Sequence, residues 1–151
     1  MRALIMLAAG GKAPMRPGAR EALMASFDPA LPPDKHLEAV RFAFFAPGND
    51  PSVWRGGWHQ DVALAQSGAT EAVDVGRWWG AGGRVPILIV QGLQDVVAPP
   101  ENGRMLKEAE PDRVTLIELD GAGHALLPEK PTEIAQAVVE FLHRVDPPQA
   151  G

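Results

Sequence analysis

The stretch VPILIVQGLQDVVAPPENG, residues 85–103, predicts the type of fold. Residues 85–91 form a short apolar run that ends at Gly92, and such runs are typical of a strand covered on both faces of a sheet. Pro99 and Pro100 then begin a helix, because the first helical position tolerates a residue without an N–H group. A strand that leads into a helix is the first half of a βαβ unit, so the stretch predicts a parallel sheet.

The residues on the C-terminal side complete this unit. The helix is expected to end before Pro111, with an apolar face made of Met105, Leu106 and Ala109. Residues 114–119, VTLIEL, form the next strand, so the helix is a right-handed crossover between two parallel strands. A final helix begins at Pro131. Its apolar face is predicted to consist of Ile134, Val138, Phe141, Leu142 and Val145.

Residues 3–9, ALIMLAA, are a further apolar run and predict another strand of the same sheet. The run also resembles a short signal peptide, because Arg2 precedes it and small residues follow. It is at the lower length limit for a signal and has a single positive charge before it, so we favour the strand. We expect a cytoplasmic protein of the α/β class, with three parallel strands and flanking helices.

Residues 14–80 differ in character from the segments around them. Frequent prolines divide them into short pieces, and most of the aromatic residues fall among them. Asp34 is predicted to cap a helix, and a second helix is predicted from about residue 51 to residue 66. The apolar face of the first helix consists of Leu37, Val40 and Phe44.

The chain is therefore expected to divide into three parts. Residues 1–13 and 81–145 form the α/β core, residues 14–80 form a helical insertion, and residues 146–151 form a flexible tail. The glycine-rich segment GAGGR, residues 80–84, returns the chain from the insertion to the core.

The composition limits the classes of function. The chain has 151 residues, 46% of them apolar and 22% charged, which fits one ordinary globular domain. Its formal charge of −5, without a cluster of lysine or arginine, argues against nucleic-acid binding. No run approaches the roughly 20 apolar residues of a membrane span, so no membrane association is expected. The absence of cysteine excludes disulfides, thiolate nucleophiles and cysteine-based zinc sites.

Two polar residues follow the strands in equivalent places. Asp95 comes after the strand at 85–91, and His124 comes after the strand at 114–119. The carboxyl ends of parallel strands collect ligands and catalytic groups, and neighbouring strands lie only about 4.8 Å apart. A carboxylate that accepts from one ring nitrogen leaves the other nitrogen as a base. We therefore predict that Asp95 and His124 form a functional pair within hydrogen-bond distance, about 2.6–3.2 Å.

The segments VPILIVQGLQDVVAPPENG and GAGHALLPEKPTEIAQAVVEFL together resemble the C-terminal half of an α/β-hydrolase. In that family an acid follows the seventh strand and a histidine follows the eighth, after a nucleophile earlier in the chain. The resemblance implies that Asp95 is the triad acid and His124 the triad base. It also implies a partial α/β-hydrolase fold in which residues 14–80 are the cap, or lid, over the active site.

The sequence departs from the family at the nucleophile. None of Ser26, Ser52 and Ser67 lies in a Gly-x-Ser-x-Gly elbow or follows a predicted strand. Without that hydroxyl the histidine has no proton to remove, so we expect a shortened, esterase-like chain that is inactive alone. Epoxide-opening relatives use cap tyrosines to protonate the alkoxide. Because this chain has no tyrosine, epoxide hydrolysis is not expected.

The cap is rich in tryptophan, which suits an uncharged, hydrophobic substrate. Trp54, Trp58 and Trp78 are the candidate substrate-binding residues, and core packing is the alternative for each. No cofactor is expected. No metal is expected either, because the four histidines lack metal-ligand spacing. Two of them, His36 and His143, are expected to be solvent-facing helix residues.

A non-catalytic function is the alternative. The strand at 3–9 would lie at a sheet edge, and an unpaired edge invites a partner strand. On this interpretation the chain is an interaction module or subunit. In either case we expect the chain to self-associate or to bind a missing N-terminal half. The substrate is the only other partner that we expect.

Overall fold

The computed structural model describes residues 2–56, 58–74 and 83–145. In chain order the elements are β1 (Leu4–Leu7), α1 (Ala19–Ala25), α2 (Pro33–Phe44), a 3-10 helix (Pro51–Trp54), α3 (Gln60–Glu71), β2 (Ile87–Gly92), α4 (Glu101–Ala109), β3 (Val114–Leu119), α5 (Leu126–Glu129) and α6 (Pro131–Val145). Trp78, most of the GAGGR segment and the predicted tail lie outside the described residues.

The strands form a three-stranded parallel sheet in the order β1-β2-β3. Leu4 pairs with Ile87 at one end of the first ladder, and Gly92 pairs with Leu119 at the end of the second. Every residue of β2 is buried because it lies between the two other strands. The prediction of an α/β fold with three parallel strands and flanking helices is confirmed.

Alternate residues of the strands face two separate apolar clusters, as the two-residue period of a strand requires. Leu88 and Val90 pack on one face with Ile134 and Phe141 of α6. Ile87 and Ile89 pack on the other face with Leu106 of α4. β1 contributes to both faces, so the sheet lies between the two helices and forms the core of the described structure.

The apolar faces of the two core helices differ in part from the predicted ones. On α4, Leu106 is buried, but Met105 is 40% exposed and Asn102 and Gly103 take the inward positions. The reason is close packing: a Cβ atom on Gly103 would lie 2.8 Å from Leu116 Cδ1, so a larger residue there would require the Leu116 side chain to shift. On α6 the prediction was wrong for Leu142, which is 41% exposed.

The helices before residue 75 also differ from the prediction. Asp34 is not the cap of α2, which begins at Pro33 because proline favours the first helical position. The helix predicted from residue 51 to 66 is two elements, the 3-10 helix and α3. The Gly56–Gly57 pair between them disfavours a continuous helix.

One histidine differs from its predicted environment. His143 is exposed, as expected, but His36 is partly buried. His36 Nε2 donates to the carbonyl oxygen of Ser26 at 2.9 Å, and its ring lies 5.5 Å from that of Trp58. The prediction of a solvent-facing His36 was therefore wrong.

Within the described ranges, none of the helices combines the length and the apolar character needed to cross a bilayer.

Candidate active site

Asp95 lies in the loop that follows β2, at the carboxyl end of the central strand. Its side chain is buried, and both carboxylate oxygens accept hydrogen bonds. Oδ1 accepts from the backbone N–H groups of Val97, at 2.9 Å, and Ala98, at 2.7 Å. Oδ2 lies 2.9 Å from His124 Nδ1 and 3.4 Å from Gln91 Nε2. These donors hold the carboxylate in one orientation and satisfy it where water is excluded.

His124 lies in the loop that follows β3, at the same edge of the sheet. The 2.9 Å distance from its Nδ1 to Asp95 Oδ2 falls within the range predicted from the sequence. Because a carboxylate accepts, Nδ1 carries the proton and Nε2 is left to take one from a reactant. The His124 side chain is 26% exposed, whereas that of Asp95 is fully buried. A reactant can therefore reach the imidazole but not the carboxylate.

Three glycines explain how the two loops come so close. A Cβ atom on Gly92 would lie 2.4 Å from the carbonyl oxygen of Ala122, so glycine is required where β2 ends. A Cβ atom on Gly123 would lie 2.6 Å from the carbonyl oxygen of Phe44. Gly121 has a φ of +66°, in the left-handed region that other residues rarely adopt. The glycines before His124 therefore serve close packing and a tight turn, and both fix the position of the ring.

Gln94 joins the loop of Asp95 to the loop of His124. Its backbone N–H donates to the carbonyl oxygen of Ala122 at 3.0 Å, and its side-chain oxygen accepts from the N–H of Ala122 at 3.1 Å. Its side-chain Nε2 donates to Asp120 Oδ1 at 2.8 Å. This hydrogen bond, a backbone bond from Gly121 and the charge of Lys130 hold the pKa of Asp120 below its usual range. Asp95 and His124 thus belong to two loops that are hydrogen-bonded directly to each other.

Neither Gln91 nor Gln94 was predicted from the sequence to act at the site. Gln91 is buried at the end of an otherwise apolar strand, where it donates to Asp95 and to the carbonyl oxygen of Ala98. A polar residue in that place is a usable signal, because a buried amide needs partners. Gln94 gives no such signal, since a glutamine in a loop is ordinary.

A cavity of about 130 Å³ lies beside His124. Its walls are formed by Leu7, Ala8, Trp54, His124, Ala125, Leu126 and Leu127. The lining is apolar except for the imidazole. Ala8, which follows β1, has a φ of +48°, a strained conformation that for residues other than glycine is concentrated at functional sites.

The predicted cap tryptophans occupy different positions. Trp54 lines the cavity beside His124, and its ring lies 5.3 Å from that of Phe44. Trp58 lies behind it, with its indole N–H bonded to the carbonyl oxygen of Trp54 at 2.7 Å. Trp58 lines two other cavities, of about 380 and 320 Å³, together with His36. Trp78 lies outside the described residues.

No cluster of three or more histidine, aspartate or glutamate side chains suited to a metal ion occurs in the part of the chain that the structure describes. The carboxylate–imidazole pair itself has an evident chemistry. A base oriented in this way removes a proton from a hydroxyl group or from water.

Solved structures with a similar arrangement of elements include esterases and a protein of the α/β-hydrolase fold. A thermophilic esterase from Thermogutta terrifontis is 24% identical, and the match covers 95% of this chain and 56% of the esterase, with a TM-score of 0.69. An α/β-hydrolase fold protein from Burkholderia ambifaria is 24% identical over 92% of this chain and 56% of its own, with a TM-score of 0.59. An esterase from Rhodococcus sp. ECU1013 is 16% identical over 95% and 56%, with a TM-score of 0.63.

No family model matches the sequence, and no curated protein sequence does so either. At these identities the similarities establish the fold alone: the chain has part of the α/β-hydrolase fold. It spans little more than half the length of the solved chains that it matches. The resemblance to this fold that the sequence suggested is confirmed.

Proposed function

We propose that the chain supplies the acid, the base and the cap of a serine-type α/β-hydrolase that cleaves an uncharged, hydrophobic ester. The observation that carries this proposal is the 2.9 Å contact between buried Asp95 and accessible His124 at the ends of adjacent strands. Asp95 accepts from Nδ1–H and fixes the tautomer. His124 Nε2 then takes the proton of the attacking hydroxyl and later returns it to the leaving alkoxide.

The character of the substrate is proposed from the cavity beside His124. Its apolar lining offers no charged side chain to bind a charged group, and Trp54 and Phe44 pack together at its edge. A cavity of about 150 Å³ accommodates benzene in an apolar protein core. The 130 Å³ beside His124 is therefore large enough for a small apolar group next to the imidazole.

The nucleophile is assigned to the part of the fold that residues 1–151 do not include. The sequence has no Gly-x-Ser-x-Gly elbow, and the matched solved chains extend well beyond the aligned region. The direct test is to express the whole reading frame in which this sequence lies and to measure hydrolysis of p-nitrophenyl esters. We expect turnover that falls by at least about a thousandfold in His124→Ala and in Asp95→Asn.

The isolated chain serves as the control in that experiment. Residues 1–151 should hydrolyse p-nitrophenyl esters no faster than buffer, because the nucleophile is absent. Rapid turnover by this chain that His124→Ala abolishes would reveal a nucleophile among its own residues. A reading frame that adds no elbow would overturn the hydrolase proposal.

A second candidate function is a subunit that binds through its sheet edge. Among the described residues β1 pairs with β2 alone, so its other side offers backbone N–H and C=O groups to a partner strand. We propose that the isolated chain associates through this edge with a second copy or with the rest of the fold. Light scattering coupled to size-exclusion chromatography at about 10–100 μM tests this, since interface formation of ordinary affinity is populated there. A sharp monomer peak would count against it.

A further inference from the structure

Glu129, the last residue of α5, accepts hydrogen bonds from two separate parts of the chain. Its Oε2 accepts from the backbone N–H of Gly123, the residue before His124, at 2.7 Å. Its Oε1 accepts from the backbone N–H of Ala46 at 2.7 Å and from the side-chain amide of Asn49. Ala46 and Asn49 belong to residues 45–50, which follow α2 and which we call the α2 turn. One carboxylate therefore joins the His124 loop to the α2 turn.

The His124 loop also contacts the last residue of α2 and the α2 turn directly. The N–H of Ala125 donates to the carbonyl oxygen of Phe44 at 2.7 Å, and the side chain of Asn49 donates to the carbonyl oxygen of Gly121 at 3.0 Å. The Phe44 and His124 rings lie 5.8 Å apart. Hydrogen bonds thus reach the His124 loop at Gly121, Gly123 and Ala125, on both sides of the histidine.

The chemistry of the junction requires a carboxylate. Three N–H donors converge on Glu129, and an ionised carboxylate accepts through both oxygens without presenting a donor of its own. A glutamine in the same place would turn its NH₂ group toward the backbone N–H of either Gly123 or Ala46, so that a donor would face a donor. Hydrogen bonds to a charged acceptor are also shorter and stronger than neutral ones.

We propose that Glu129 is a positioning residue for His124: it fixes the imidazole against Asp95 by fastening Gly123 to the α2 turn. Asp95 orients the ring from one side, through Nδ1, and Glu129 holds the backbone that carries the ring. The catalytic meaning of this role rests on the proposed function, but the role itself does not require ester turnover to be observed.

The experiment compares Glu129→Gln with Glu133→Gln in the 151-residue chain. Glu133 lies exposed in the first turn of α6, so its variant controls for the loss of one negative charge nearby. Two signals are measured by NMR: the exchange rate of the Gly123 N–H and the resonance of the His124 Nδ1–H. We expect Gly123 exchange to be at least about tenfold faster in Glu129→Gln, and the Nδ1–H resonance to broaden or disappear while the fold persists.

The outcomes separate positioning from mere stabilisation. A stabilising role alone would lower the melting temperature and leave the His124 Nδ1–H resonance of the folded protein unchanged. That result, with unchanged Gly123 exchange, would overturn the proposal. If Glu129→Gln does not fold, Glu129→Asp keeps the charge but shortens the reach, and the same two signals decide. If the unsubstituted chain shows no Nδ1–H bonded to Asp95, the Asp95–His124 pair is wrong, and Gly123 exchange still reports on Glu129.

Discussion

Helices α6 and α3 differ in what they bury, although each is long enough to cover one face of a small sheet. α6 buries Ile134, Ala137 and Phe141 against the sheet. α3 buries none of its residues against any described part of the chain. The apolar residues of α6 recur every three to four positions, whereas those of α3 are clustered in the run VALA, so α3 has no apolar stripe.

The difference indicates where the sequence specifies structure most tightly. A helix in a protein owes most of its stability to the packing of one face, and α6 has such a face whereas α3 does not. The loops of Asp95 and His124, at the end of the sheet that α6 covers, are held in addition by hydrogen bonds and by close glycine contacts. We therefore expect substitutions in the sheet, in α6 and in the loops of Asp95 and His124 to have large effects. Comparable substitutions in α3 should be tolerated.

The largest effect is expected from Phe141→Ala. Phe141 is 1% exposed, and its removal should lower the free energy of unfolding by about 3–5 kcal/mol. Val62→Ala in α3, where the side chain is 51% exposed, should change it by less than about 0.5 kcal/mol. Urea denaturation followed by circular dichroism measures both. Equal losses in the two variants would show that α3 packs as tightly as α6.

Gly92→Ala should be the next most damaging change. The added methyl group would meet backbone oxygens of Ala122 and Gly123, at 2.4 and 2.5 Å, and backbone cannot move aside as a side chain does. We expect a loss of about 3 kcal/mol, the upper part of the range for overpacking, together with separation of His124 from Asp95.

Gly68→Ala is the matched control for that substitution. Gly68 lies inside α3, and a Cβ atom there would meet nothing within 4 Å. Because alanine is the better helix former, this variant should gain about 0.5–1 kcal/mol in the same denaturation experiment. A loss in Gly68→Ala would show that α3 contacts a part of the chain that covers this position.

Asp95→Asn should cost about 2 kcal/mol, because it replaces a buried, charged acceptor of hydrogen bonds with a neutral amide. The asparagine oxygen can still accept from Val97 and Ala98, but its NH₂ group then points toward His124 Nδ1. We expect the proton on the His124 ring to move to Nε2, which ¹⁵N NMR of the imidazole detects. An unchanged tautomer would show that Asp95 does not orient the ring.

Part of the fold and of the candidate site could be predicted from the sequence, and part could not. Strand β3 was predicted with its observed bounds, and the Asp95–His124 contact was predicted from two loop positions, since the ends of parallel strands meet at one edge. The predicted catalytic roles of both residues remain predictions. The contribution of Glu129 could not be predicted, because its partners lie about 80 positions away in the α2 turn and no local pattern marks such a contact.

The helices before residue 75 were predicted least well, for a physical reason. The break between the 3-10 helix and α3 depends on local glycine content, which competes with helix periodicity over the same residues. The roles of Trp54 and Trp58 differ because one indole lines the cavity at His124 and the other packs behind it, a distinction of three-dimensional distance that spacing does not contain.

The smallest expected effect is a pH dependence that belongs to the strand-end loops. The pKa of Asp120 is lowered first by the hydrogen bond from Gln94, then by the backbone of Gly121 and the charge of Lys130. Because the pKa of Asp120 is lower in the folded than in the unfolded protein, its ionised carboxylate stabilises the fold above about pH 4. This stabilisation is lost as the pH falls through the folded-state pKa. The difference in stability between the unsubstituted chain and Asp120→Asn should therefore be greatest at neutral pH and shrink in acid. Gln94→Ala should weaken the same pH dependence by removing its largest cause, and the part that remains should come from the backbone of Gly121 and the charge of Lys130. Urea denaturation from about pH 2.5 to 7 measures this across the carboxyl titration range. A difference that stays constant over that range would show that the Gln94–Asp120 contact does not form in solution, and that the hydrogen bonds between Gln94 and Ala122 hold the two loops together without it.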